Sequence, residues 1–121
     1  KVHVLFYVDP DEKESNLKLE EALSDAKFPR ENYQSVAIIN MAATWLPNFA
    51  IASSLESKQK KYPNTIYVKD LKKVLVSGWG MGDDSYNVLI LSKQGKILFY
   101  KKGTLNQDEI NLAIKLINEN L

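Results

Sequence analysis

Two hydrophobic rhythms run along the chain, and together they set out its elements in order. Val2-His3-Val4-Leu5-Phe6-Tyr7-Val8 is nearly all apolar, as in a central strand covered on both faces. Behind it, Leu19, Ala22, Leu23 and Ala26 recur at helical spacing and predict an amphipathic helix that Phe28-Pro29-Arg30 ends. Val36-Ala37-Ile38-Ile39 predicts a second buried strand, and Met41 to Leu46 a connection. Pro47-Asn48 suits the opening turn of a second helix. That helix is expected to reach about Tyr62, with Ile51, Ala52, Leu55 and Tyr62 inward, before Pro63-Asn64 stops it.

The second half has shorter periods. Thr65-Ile66-Tyr67-Val68 and Val74-Leu75-Val76 read as short β segments around the polar turn Asp70-Leu71-Lys72-Lys73. Val88 to Leu91 and Ile97 to Tyr100 flank Ser92-Lys93-Gln94-Gly95-Lys96, a β-hairpin with glycine in its turn. Asn106 and Glu109 form a capping box for a last helix, and Leu105 can staple onto Ile110. Ile110, Ala113, Ile114, Ile117 and Leu121 make its inward stripe. The order β-α-β-α-β-β-α needs parallel strands early and antiparallel ones late. It predicts an α/β three-layer sandwich of the thioredoxin type, with a mixed central sheet flanked by helices.

The chain of 121 residues fits a single domain able to bury a core without staples. Its net charge of +1, with basic and acidic residues interspersed, gives no basic patch for nucleic acid. Lys58, Lys60 and Lys61 read as a solvated helix face. No apolar run approaches the roughly 18 residues of a membrane span. No cysteine occurs, which removes disulfides, thiolate catalysis and cysteine metal sites. No motif asks for a cofactor.

Two resemblances bear on this order. Asn87 to Ile97 resembles the strand, Asp-x-x-Gly, strand signature of thiol reductases of the TlpA kind, and Gly103 to Ile110 resembles the start of their last helix. Ser53-Ser54-Leu55-Glu56-Ser57, Lys60-Lys61 and Tyr62-Pro63 resemble a segment of the YtfJ family, periplasmic proteins of Gram-negative bacteria. Lys18 to Lys27 resembles that family's first helix, and Val74 to Trp79 a strand of it. The resemblance covers almost the whole chain. It implies a periplasmic thioredoxin-like domain spanning residues 1–121, without the N-terminal segment and signal peptide of such proteins. It carries over no catalytic residue.

In thioredoxins the first strand leads into a Cys-x-x-Cys helix start, where free amides stabilise a thiolate. Asp11-Glu12-Lys13-Glu14 takes that place here, and Asp11 with Glu14 reads as a second capping box, worth about 1 kcal/mol. The cis-proline expected before the Val88 strand is replaced by Asn87, where a cis bond is costly. Carboxylates cannot form the mixed disulfide on which thiol exchange depends. Disulfide oxidoreductase and peroxiredoxin chemistry are both excluded.

Several polar and aromatic groups are expected to meet at one sheet edge. Asp9, Asp11, Asp83 and Asp84 are weak candidates for a cation site, because hard metals want several oxygens, but helix capping and a polar loop are the favoured explanation for carboxylates there. No calcium-loop motif is present. Trp45, Leu46 and Phe49 lie in an unusually apolar connection, and Trp79 in a glycine-rich stretch. They are either core or an exposed contact surface. Ser53, Ser54 and Ser57 lack a nucleophile elbow, and His3, the chain's one histidine, sits within a strand. The reading is a non-redox binding module, with Asp11, Glu14, Trp45, Phe49, Trp79 and Asn87 as its contact residues. The expected partner is an envelope protein or small ligand. The alternative is a cation-dependent enzyme using Asp9, Asp11, Asp83 and Asp84.

Overall fold

A computed structural model describes residues 1–43 and 47–121. Five strands, β1 (Val2–Val8), β2 (Tyr33–Asn40), β3 (Ile66–Asp70), β4 (Tyr86–Leu91) and β5 (Ile97–Lys102), form one sheet in the order β3-β2-β1-β4-β5. The pairs β1–β2 and β2–β3 are parallel, whereas β1–β4 and β4–β5 are antiparallel. The helices are α1 (Leu17–Asp25), α2 (Asn48–Lys61), α3 (Val74–Trp79) and α4 (Gln107–Asn120).

The connections explain the layering. Successive right-handed crossovers from β1 through α1 to β2, and from β2 through α2 to β3, step the same way across the sheet. Both helices therefore cover the same face. Val4, Phe6 and Val8 of β1 and Val88 and Ile90 of β4 pack there against Leu19, Leu23, Ile51, Ile110 and Ile117. The opposite face carries Leu5, Tyr7 and Leu89, with Met81 and the short α3 over them. The sandwich is lopsided.

Local chemistry fixes the ends. The capping box of α4 is present, Glu109 N–H to Asn106 Oδ1 at 2.8 Å and Asn106 N–H to Glu109 Oε1 at 3.0 Å, with Leu105 and Ile110 buried beside it. Gly95 takes the hairpin turn at φ +82°, a conformation that costs glycine little.

Four expectations need correction. Val74-Leu75-Val76 is the first part of α3 rather than a strand, although its β-branched residues favour β structure. The Asp70 carboxylate accepts from the amides of Lys72, Val74 and Leu75 at 3.1–3.3 Å, and this cap overrides the propensity. Asp11 and Glu14 do not cap the first helix. Pro10–Glu12 forms one turn of 3-10 helix capped by Asp9, and α1 begins only at Leu17. Strand β4 opens at Tyr86, so Asn87 lies within it. Ala26 and Ala52 face solvent.

Candidate functional site

The C-terminal ends of β1, β2 and β3 and the start of β4 gather Asp9, Asn40, Asp70 and the Gly82–Ser85 segment. Asp9 is buried, and its carboxylate accepts from the Asp11 amide at 2.9 Å. Burial pushes its pKa up, and the charges of Asp11, Asp84 and Glu12 add to that. Asp83 accepts from Lys73 Nζ at 2.6 Å and from Asn40 Nδ2 at 2.9 Å. The Lys73 hydrogen bond comes first among the causes that hold the Asp83 carboxyl below its usual range. The Lys73 ammonium also feels Asp84 and Asp9. Lys73 thus supplies a positive charge at this edge. Among the described residues, no three carboxylates or histidines converge as a metal-ligand set. Asn40 Oδ1 is buried beside Asp83 without a hydrogen-bond partner.

Asp70 and Asn87 organise the neighbouring loop. Burial raises the Asp70 pKa, but the Tyr7 hydroxyl at 2.8 Å and the α3 amides outweigh it and hold the group low. Asn87 is 0% exposed. Its amide donates to Gly82 O at 2.8 Å and Tyr7 O at 3.1 Å, while its Oδ1 accepts from Gly82 N at 2.9 Å and Tyr100 Oη at 2.6 Å. Clamped on both sides of Gly82, it positions a loop and cannot touch a partner, which corrects its place among the contact residues. Asp11 and Glu14 are exposed. Phe49 is 78% and Trp79 58% exposed, each on a different helix. Trp45 lies outside the described residues.

A concave feature on the helix-covered face has no counterpart in the sequence motifs. A chamber of about 340 Å³ lies between the sheet and the α1/α2 pair. Phe6, Val8, Ala37 and Ile39 form its floor, with Leu23 and Ile51 opposite. Tyr33, Tyr62, Tyr67 and Tyr86 also line it. Burial pushes Tyr33 up to about 12 and raises Tyr67 and Tyr86 as well, the Glu20 charge adding to both of the latter. All three remain protonated donors at neutral pH. Glu20 accepts from Lys58 Nζ at 2.6 Å and Tyr86 Oη at 3.1 Å, so Lys58 belongs to the chamber wall and not to a solvated face. The Tyr62 hydroxyl is buried without a hydrogen-bond partner, and its proximity raises the pKa of neighbouring Lys61. The signal available in the sequence was four tyrosines on separate elements, each an apolar body with a polar tip.

The fold is thioredoxin-like, and the chain carries no cysteine. A thiol-disulfide isomerase from Corynebacterium glutamicum superposes with a TM-score of 0.67 at 9% identity, covering 97% of this chain and 80% of that one, a likeness of fold. Residues 2–120 match the family described as "Bacterial protein of unknown function (YtfJ_HI0045)", and the chain belongs to that family. Escherichia coli YtfJ, described as uncharacterized, is 32% identical over 98% of this chain and 66% of its own length. A Haemophilus influenzae relative is 29% identical over 88% of this chain. The chain spans just under two thirds of the first relative and 58% of the second. Among the described residues no helix is long and apolar enough to cross a membrane.

Proposed function

We propose that this chain is a non-redox binding domain of the bacterial periplasm that holds a small, largely apolar ligand between its sheet and helices α1 and α2. The observation that carries the reading is the chamber of about 340 Å³, inside the roughly 300–1,000 Å³ range of small-molecule sites and lined mainly by apolar side chains. The absence of cysteine supports the non-redox part of it, because Asp11-Glu12-Lys13-Glu14 stands where thioredoxins carry their thiols. The periplasmic setting rests on the family resemblance. It is tested by whether the full-length product is released from Gram-negative cells by osmotic shock.

Titration with the neutral fluorophore N-phenyl-1-naphthylamine tests the site. The expected result is saturable enhancement at one probe per folded chain, lost in Leu55→Trp, which fills the chamber from α2. Absence of saturable binding to wild type would overturn the reading. The exposure of Phe49 and Trp79 favours a second reading, contact with an envelope protein. A photo-crosslinking residue at position 49, compared with one at exposed Lys115, tests it in cells. A discrete adduct specific to position 49 is expected.

A further inference from the structure

We infer that the chamber is selective for an amphiphile with a single carboxylate head, a free fatty acid in chemical class, whose head docks on the Tyr62 hydroxyl. The inference rests on the chamber being a ligand site. Three observations carry it beyond that.

The first is charge. Lys13, Lys27, Arg30, Lys58 and Lys61 line the chamber against one acid, Glu20, in a chain whose net charge is only +1. Glu20 is taken by Lys58 and Lys61 pairs with exposed Glu21 at 3.5 Å, which leaves Lys13, Lys27 and Arg30 without an ion pair among the described residues. Lys58, Lys60 and Lys61 also complement the C-terminal dipole of α2, which is an ordinary role for helix-end lysines. Lys27, next after the α1 C-cap, can complement that helix's dipole in the same way, whereas Arg30 lies beyond the last turn. They follow α1, and neither makes an ion pair among the described residues.

The second is the Tyr62 hydroxyl. A buried hydroxyl without a partner forfeits its hydrogen bond, so such groups are rare in folded proteins. The hydroxyl can accept as well as donate, but the Lys61 ammonium beside it can only donate, so the hydroxyl's own proton is left without an acceptor. Lys61 Nζ and Lys58 Nζ stand 5.4 and 5.7 Å from the centre of its ring. A carboxylate accepting from Tyr62 would sit beside both ammonium groups. An alkylammonium head could only add to the existing positive charge, and a neutral alcohol would use the hydroxyl without the charge.

The third is backbone. Lys27 has φ +50°, a left-handed conformation that favours glycine or asparagine. It is the residue after the α1 C-cap, where helices often end this way, but a lysine there costs more than a glycine, and this exposed lysine is among the residues that line the chamber. Strain of this kind concentrates where a side chain has a task.

The experiment is calorimetric titration of the chain with sodium decanoate, decanol and decyltrimethylammonium, which share one apolar body. Decanoate is expected to bind with a stoichiometry of one and most tightly. Tyr62→Phe is expected to weaken decanoate by roughly tenfold or more, the worth of a hydrogen bond to a charged group, while leaving decanol and decyltrimethylammonium within about twofold. Its melting temperature should hold or rise, since no hydrogen bond is lost on folding. Lys27→Gly is expected to raise the melting temperature and yet weaken decanoate by about two- to fivefold, as for an exposed charge. Equal binding of the three probes, or decanoate binding unchanged in Tyr62→Phe, would overturn the inference while leaving the chamber as a site for neutral ligands. Failure of all three probes together with N-phenyl-1-naphthylamine would overturn the site itself. Co-sedimentation with phosphatidylglycerol vesicles that decanoate does not inhibit would assign the cationic mouth to a membrane surface and also overturn it.

Discussion

Asn87 shows how one side chain can replace a conserved-looking piece of local geometry with another. By position it stood for a missing proline, and the sequence could say only that the residue was polar. The structure spends all of its hydrogen-bonding groups on Gly82, Tyr7 and Tyr100. Asn87→Ala should therefore lose roughly 2–4 kcal/mol by urea denaturation, because several buried partners go unpaired. A loss below about 0.5 kcal/mol, the range of ordinary surface changes, would contradict the clamp. Asp70 makes the complementary case through pH. Its folded pKa is depressed, so its contribution is present above the usual aspartate range and is lost as pH falls through the folded value. Asp9 has the opposite sign: its raised pKa means stability falls as pH rises through that value. Asp70→Asn should flatten the acid limb of a melting-temperature profile, and Asp9→Asn should stabilise the chain at pH 7 with little effect well below pH 4.

At the scale of elements, the parts legible in sequence were those stabilised by their own neighbours. Strand β1, the Gly95 hairpin and the Asn106–Glu109 box depend on local pattern, and all three are present. What the sequence concealed depended on contacts far along the chain. Asn16 precedes α1 but gives its side chain to Gly103 O at 3.1 Å and Leu105 N at 2.8 Å, tying α1 to the start of α4. Helix α3 reads as a strand until Asp70 is folded against its amides and Tyr7 against Asp70. The Asp11–Glu14 box was a sound local pattern that lost to Asp9 and Pro10, which form a tighter turn first. Cysteines installed by Asp11→Cys and Glu14→Cys should accordingly keep ordinary thiol pKa values near 8.5, because no α-helix begins there to stabilise a thiolate. A thiolate forming below about pH 7, the thioredoxin range, would contradict this placement of the turn.

At the scale of the whole molecule, the proposed site centres away from the corner where thioredoxins carry their thiols. The fold's familiar corner is closed by an internal salt bridge, Lys73 to Asp83, and by a clamped loop. The open space lies on the helix-covered face, and Lys27, Arg30 and Lys61 are among its lining residues. Neither the chamber nor its charge could be read from the chain, since its lining comes from β1, β2, β3, β4, α1 and α2, and no short motif spans them. Its existence as a binding site is the central claim. Nitrogen-15 NMR of the folded chain titrated with decanoate tests it most directly. The expected result is saturable shifts of the Leu23, Ile51, Leu55 and Tyr67 amides, with those of Ile97–Lys102 in β5 unmoved. Shifts confined to Phe49 and Trp79, or no saturable shift anywhere, would contradict it.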